Sequence, residues 1–148
     1  MELPKPLCIP EIRKLSIAAE TMSNKFLKEI DLTSSQSIAM FLLLQNRAEE
    51  KEPMTQRDLE RFMAMSNPAV AGVINRLEAK GFVRRVKKGN DMRYNYLEPT
   101  EKGIALQEVF YPNLLKNEDK IFAGFTEEER DLFYQFVSRM LKNVSGEI

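Results

Sequence analysis

Residues 66–85 read SNPAVAGVINRLEAKGFVRR, and this stretch predicts a helix followed directly by a strand. Ser66 or Asn67 can cap the helix, Pro68 lies in its first turn, and Gly81 is placed to end it. A strand-like period begins directly after that glycine. The apolar side chains of the helix repeat at i, i+3, i+4 and i+7, the spacing of one buried face, and they are Val70, Val73, Ile74 and Leu77.

The segments on either side complete a helix-turn-helix and a hairpin. Upstream, Thr55 and Asp58 form a capping pattern for a short helix, which a turn at Ala64 and Met65 ends; its apolar residues are Leu59, Phe62 and Met63. Downstream, the pattern predicts a strand at residues 83–87, a turn at 88–91 and a second strand at 94–97. Two short helices and a hairpin in this order are typical of a winged helix.

Two further helices are predicted before this unit. The first follows Pro10 and carries a narrow apolar seam of Ile12, Leu15, Ala19, Met22 and Phe26. That seam suits either ordinary core packing or pairing with a helix of a second subunit. Thr33 and Gln36 form a capping box for the second helix, which should end near Gln45, bury Ile38, Phe41, Leu42 and Leu44, and lead into a solvated connector at 46–53.

Two helices are predicted after the hairpin. Thr100 can cap one that carries Ile104, Val109 and Phe110 and breaks near Pro112. Thr126 and Glu129 cap the last, which has a broad apolar face of Leu132, Phe133, Phe136, Val137, Met140 and Leu141. The expected fold is a single domain over residues 1–148 of the α+β class, mostly helical and built around a winged helix-turn-helix.

The composition excludes several classes of protein. The chain has 148 residues, no histidine and one cysteine, Cys8, so Ser-His-Asp catalysis, Cys-His catalysis, histidine-based zinc sites and internal disulfides are excluded. The glutamates at 49, 50 and 52 lie on the polar connector without a visible partner. The longest apolar run, residues 38–44, is too short to cross a membrane. We therefore expect a cytoplasmic protein that is not an enzyme and needs no metal or cofactor.

The charges are unevenly distributed along a chain whose formal net charge is zero. From residue 55 to residue 93 there are nine basic and four acidic side chains, a net charge of +5, and the remaining residues carry −5. Six of the basic residues lie within 80–93. A solvated surface hairpin is one explanation of this cluster, but its position after a helix-turn-helix favours contact with the phosphates of double-stranded DNA.

The outer face of the second short helix offers few side chains for reading bases. Opposite the buried positions lie Pro68, Gly72, Asn75 and Ala79, so base-edge hydrogen bonds are expected to be sparse. Gly72 allows either close approach of the helix backbone to DNA or close packing on a neighbouring helix. The predicted DNA contacts are Ser66, Asn67, Pro68, Ala69, Ala71, Gly72, Asn75, Arg76, Arg84, Lys87, Lys88 and Arg93.

In the hairpin, Arg93 lies just after the predicted tip and can enter a minor groove. Asp91 is expected to pair with an arginine and brace the wing, with a simple Asx turn as the alternative.

Three passages resemble the MarR family of bacterial transcription regulators. Residues 32–36, LTSSQ, are similar to the family's LT-x-x-Q, and residues 75–85, NRLEAKGFVRR, are similar to DRLEKKGLVER. The third passage is DMR at 91–93 followed by PTEKG at 99–103, like D-x-R and LTEKG. The departures are Asn75 in place of aspartate, Pro99 in place of leucine, and Ala71 with Gly72 in place of polar or basic residues.

The resemblance implies a homodimer that binds pseudo-palindromic operator DNA. Residues 1–31 and 104–148 would form the dimerisation region and residues 32–103 the DNA-binding lobe, with Arg93 as the minor-groove arginine and Asp91 as its brace. It also implies a repressor that a small aromatic or phenolic effector releases from DNA. Some members sense oxidants through an amino-terminal cysteine, so Cys8 invites comparison, although a lone thiol is more often inert.

An alternative function is a winged-helix protein-interaction module without DNA binding. The bare face of Pro68, Gly72 and Ala79 favours this alternative, because it offers few groups to a base edge.

Overall fold

The computed structural model describes residues 1, 6–88, 93 and 95–146, which form two compact units, Met1–Asn113 and Leu114–Ile148. The first unit holds most of the helices and a small sheet, and the second holds the last helix and the end of the helix before it. No helix in the described part of the chain is long and apolar enough to span a membrane. The elements are α1 (Cys8–Glu29), α2 (Ser34–Ala48), β1 (Met54–Thr55), α3 (Gln56–Met63), α4 (Asn67–Ala79), β2 (Val83–Val86), β3 (Tyr96–Pro99), α5 (Glu101–Ala105), α6 (Gln107–Ile121) and α7 (Glu127–Ser145). This mostly helical fold with a small sheet confirms the predicted class.

Local capping chemistry sets the start of three helices, as the sequence predicts. Both hydrogen bonds of a capping box are present at Thr33 with Gln36, at Thr55 with Asp58 and at Thr126 with Glu129. Each cap satisfies backbone N–H groups that the first turn leaves without a partner, which stabilises a helix by about 1 kcal/mol.

The helix-turn-helix consists of α3 and α4. The turn between them uses Ala64 in the left-handed conformation, with φ of 51°. Val70, Val73, Ile74 and Leu77 are all buried, as predicted, and they pack α4 on α2 and α3. Gly81 follows the helix with φ of +79°, a conformation that a side chain would strain.

The sheet has three antiparallel strands in the order β1-β3-β2, so β3 lies in the centre. Val83 pairs with Pro99 and Val86 with Tyr96, which places the second hairpin strand two residues later than predicted. The loop between β2 and β3 is therefore longer than the predicted turn at 88–91, most of which lies outside the described residues. The two-residue strand β1 was not predicted, because so short an element has no measurable period.

Two helical predictions are wrong in detail. On α2, Leu44 is buried as predicted and Leu42 is half-buried, but Ile38 and Phe41 are exposed at 45% and 38%. The other buried apolar residues of the helix are Ala39, Met40 and Leu43. The helix also continues to Ala48, three residues into the expected connector, because Arg47 and Ala48 are good helix formers.

The predicted break near Pro112 is not observed. Pro112 lies inside α6, as its sixth residue, and the interruption instead falls at Leu106, between α5 and α6. Pro112 has no backbone N–H to bond the carbonyl of Glu108, so α6 continues past it with one backbone hydrogen bond fewer.

In the second unit, aromatic rings pack around Phe122. Its ring lies 5.3 to 5.9 Å from the rings of Phe125, Phe133 and Tyr134, and the guanidinium of Arg130 lies 4.8 Å from its centre. None of the described residues of α7 is buried, although its face carries large apolar side chains. Leu132, Phe136 and Met140 on this face are each 44% to 48% exposed.

Candidate nucleic-acid interface

The exposed side of α4 carries the predicted contact residues. Ser66, Asn67, Pro68 and Ala69 are exposed at its start, as are Asn75 and Arg76 further along, and Ala71 and Gly72 are half-buried. A methyl group built on Gly72 would meet no atom within 4 Å. Close packing against a neighbouring helix, one explanation of this glycine, is therefore not observed among the residues that the structure describes.

Asn67, the first residue of α4, is held by the preceding helix. Its side-chain Nδ2 donates to Glu60 Oε1 at 2.7 Å, and Gln56 Nε2 donates to the same oxygen at 3.3 Å. Glu60 therefore connects the two helices of the helix-turn-helix at the surface where DNA is expected.

Asn75 is held by the wing strand β2. Arg85 donates through Nη2 to Asn75 Oδ1 at 2.7 Å and through Nη1 to Glu78 Oε1 at 2.6 Å. The side chain of Arg85 is 25% exposed. Arg85 was not among the predicted contacts, but the period of two in β2 could have identified it, since Arg85 shares a face with the buried Val83.

Glu98 on β3 neutralises two of the predicted phosphate contacts. Its carboxylate accepts from Arg84 Nη2 at 3.1 Å and lies 3.2 Å from Lys88 Nζ. Partial burial disfavours the charged form, but the hydrogen bonds from Lys88 and Arg84 outweigh it and hold the pKa of Glu98 below its ordinary value. The two ion pairs are therefore intact at neutral pH and are lost only as the pH falls through that lowered pKa.

Lys80, another cation of the basic segment, has a structural role. Its Nζ donates to the carbonyl of Asp31 at 2.6 Å and to the buried Gln36 side chain at 2.9 Å. This contact joins the end of α4 to the start of α2, so the ammonium group of Lys80 is used in a contact within the protein.

An open groove of about 500 Å³ connects the start of α4 with the base of the wing. It brings Arg93 and Arg85 into the same polar surface as Asn67, together with Arg57 of α3, which was not predicted. Lys87 is exposed after β2, and Asp91, the predicted brace of the wing, lies outside the described residues. The groove is lined by Thr55, Gln56, Arg57, Glu60, Asn67, Arg85, Arg93, Asn95 and Leu97.

We expect Glu98→Gln to tighten DNA binding, because it releases Arg84 and Lys88 to contact phosphates. Titrations at several salt concentrations should show a plot of log K against log salt that steepens by about 1 to 2 per subunit. Glu101→Gln removes the same charge from an exposed position nearby and serves as the control. Weaker binding by Glu98→Gln would contradict this expectation and would mean that the ion pairs hold the wing in its DNA-binding shape.

The helix-turn-helix, the hairpin after it and the cationic groove between them define a winged helix-turn-helix of the kind found in DNA-binding regulators. The MarR family model matches residues 32–94. An HTH-type transcriptional regulator of Bacillus cereus (strain ATCC 10987 / NRS 248) is 30% identical over 123 residues, which cover 82% of this chain and 78% of the relative. The chain belongs to the MarR family of transcription regulators.

Solved structures with the same fold include one with DNA and one with a small ligand. A MarR family regulator from Listeria monocytogenes complexed with 26mer DNA has a TM-score of 0.84 and 22% identity, covering 97% of this chain and 90% of the other. NadR in complex with 4-hydroxyphenylacetate has a TM-score of 0.83 and 22% identity, covering 96% and 97%.

Proposed function

We propose that this regulator binds pseudo-palindromic operator DNA as a homodimer, with α4 in the major groove and the wing at the adjacent minor groove. The observation that carries the proposal is the groove that joins Asn67 at the start of α4 to Arg93 at the wing. A recognition helix in the major groove with a cationic side chain beside it is the usual arrangement of helix-turn-helix proteins on DNA.

The predicted contact residues divide into two groups in this proposal. Ser66, Asn67, Asn75 and Arg76 present polar groups to base edges or phosphates, and Pro68, Ala69 and Ala71 offer apolar contacts for thymine methyl groups. Gly72 lets the helix backbone approach the groove, which the open space around it supports. Arg84, Lys87 and Lys88 supply charge to the phosphates, and Arg93 enters the minor groove.

The dimer is proposed to form through residues 1–31 and 104–148, and residues 32–103 form the DNA-binding lobe. Large apolar side chains in both terminal regions support this division: Ile12 and Leu15 on α1 are 55% and 50% exposed, and α7 leaves Phe136 and Met140 nearly half exposed. Apolar surface of this kind usually marks a site of association. A two-fold dimer would place one α4 on each half of a palindromic site.

We further propose that the regulator is a repressor released by a small aromatic or phenolic effector. The phenolic acid bound in NadR, a protein of the same fold, supports this ligand class. A reporter gene placed downstream of the promoter region of the regulator's own gene should be repressed by the protein. Such a compound should relieve this repression. Activation of the reporter would contradict the repressor role.

Arg93→Ala tests the mode of DNA binding. We expect it to weaken binding to DNA from the upstream region of its own gene by about fivefold to 150-fold, the loss of about 1 to 3 kcal/mol typical of a groove-reading arginine. The salt dependence of binding should also become shallower, because the variant neutralises fewer phosphates and releases fewer counterions.

Lys116→Ala, which removes one exposed positive charge from α6, is the matched control for Arg93→Ala and should bind as the parent protein does. Sedimentation should show the same assembly for both variants. If the parent protein fails to bind DNA at low salt, or binds with a salt slope near zero, the proposed function is wrong and the protein-interaction alternative is favoured.

A further inference from the structure

Two amide side chains on the exposed side of α4 have charged partners that determine how each amide is oriented. A free asparagine can read adenine with its oxygen and its nitrogen together, accepting from N6 and donating to N7. The partners of Asn75 and Asn67 each occupy one half of that amide. What remains for DNA therefore differs from the ordinary asparagine pattern.

For Asn75, the partner is a guanidinium. Arginine carries hydrogen-bond donors only, so the amide of Asn75 must turn its oxygen toward Arg85, as the 2.7 Å contact shows. Arg85 cannot easily move away, because its other nitrogen is bound to Glu78 at 2.6 Å and its side chain is three-quarters covered. The Nδ2 group of the exposed Asn75 is left to interact outside the protein.

For Asn67, the partner is a carboxylate and the polarity is reversed. An ionised glutamate only accepts, so Asn67 must direct its Nδ2 to Glu60 Oε1, at 2.7 Å. The Oδ1 atom of Asn67 is left as the exposed acceptor. Eight residues separate the two asparagines, about 12 Å along the helix axis, so they would read different base pairs.

We infer that α4 reads its operator with two amides of fixed and opposite polarity. Asn75 donates to base-edge acceptors, which guanine offers at O6 and N7, thymine at O4, and adenine only at N7 beside its amino donor. Asn67 accepts from the amino group of adenine or cytosine. Arg85 and Glu60 are positioning residues that prevent either asparagine from reading adenine with both of its atoms. This inference rests on the proposed function, because it requires α4 to lie in the major groove.

In MarR-family sequences aspartate is common at the position of Asn75, and substituting it here gives the inference a direct test. Asn75→Asp keeps an oxygen for Arg85 but removes the donor, leaving acceptors only. At the operator position that residue 75 reads, the preferred base should therefore change from one that offers an oxygen to one that offers an amino group. Arg85→Lys retains a donor beside Asn75, whereas Arg85→Met removes it and frees the amide to rotate.

The experiment is selection of binding sites from a random pool of double-stranded DNA at low salt. Asn75→Ala and Asn67→Ala identify the position that each asparagine reads, as the one whose base preference disappears. The parent protein should favour guanine or thymine at the first position and adenine or cytosine at the second. Asn75→Asp should shift the first preference to adenine or cytosine by at least tenfold in relative enrichment, with the rest of the motif unchanged.

The two Arg85 variants separate positioning from folding. Arg85→Lys should keep the parent preference, and Arg85→Met should shift the same position toward adenine, with thermal unfolding confirming that both are folded. An unchanged preference in Asn75→Asp, or the same preference in Arg85→Met as in the parent protein, would overturn the inference while leaving the proposed function intact. Failure of the parent protein to select any sequence would instead overturn the proposed function.

Discussion

Gly103→Ala is expected to destabilise the DNA-binding lobe by about 3 kcal/mol, since an added methyl group has no space in this tightly packed region. The new Cβ would lie 2.2 Å from the carbonyl oxygen of Phe82 and 3.2 Å from Cε of Met40. The methionine can adjust, but the carbonyl cannot, because it accepts a hydrogen bond from the Thr100 N–H at 3.0 Å. Either α5 or the start of β2 would have to move. Urea unfolding monitored by circular dichroism measures the decrease in stability.

Gly72→Ala is the matched control for the same chemical change. Gly72 also lies inside a helix, but apart from its two neighbours and the nearby backbone of its own helix, no described atom is within 4 Å of the position that its Cβ would occupy. Alanine should therefore stabilise α4 by about 0.5 to 1 kcal/mol, the cost of glycine in a helix interior. Equal effects of the two substitutions would show that backbone propensity, rather than the contact with Phe82, decides the outcome at Gly103.

The winged helix was predictable because its signals are local. In α4 the buried positions follow one uninterrupted helical period, and the capping boxes at Thr33 and Thr55 each involve residues only three apart. Interactions at this separation can be predicted from the sequence, because the geometry of one helical turn fixes which residues are neighbours.

The predictions that were wrong concern places where the local signal was ambiguous. Residues 38–44 are all apolar, so the period could not show which side of α2 faces the core. The structure buries Met40 and Leu43 against the lobe and leaves Phe41 exposed. The positions of α1, α3, α4 and β3 around α2 decide between these sides.

The basic residues of the candidate site were predictable from the sequence, but their ion-pair and hydrogen-bond partners were not. The sequence identified a basic segment, yet Glu98, which pairs with Arg84 and Lys88, lies outside it, and Arg85 meets Asn75 across ten residues. Such contacts depend on the register between β2 and β3 and on how the hairpin packs against α4. The net charge of a segment therefore overstates the number of cations that are available to DNA.

Phe136→Glu is expected to disrupt the proposed dimer and, with it, most of the DNA affinity. Phe136 lies at the middle of the apolar face of α7, between Leu132 and Met140, and is 48% exposed in the single chain. If a second subunit covers this face, a carboxylate there would be buried without a partner, which costs several kcal/mol. Sedimentation at micromolar concentration should show a monomer. Circular dichroism should show that the helical content of the variant is unchanged.

The decrease in DNA binding should be larger than for any single contact residue. Two linked lobes bind two half-sites with an advantage of about 10² to 10⁴ over one lobe, so the monomer should bind a palindromic site at least about a hundredfold more weakly. Gln135→Glu introduces the same side chain one residue earlier, on the exposed polar side of α7 beside Asp131 and Arg139, and should leave assembly and binding unchanged. A Phe136→Glu protein that remains dimeric at the same concentration would place the dimer interface elsewhere, and α7 would then need another explanation for its apolar face.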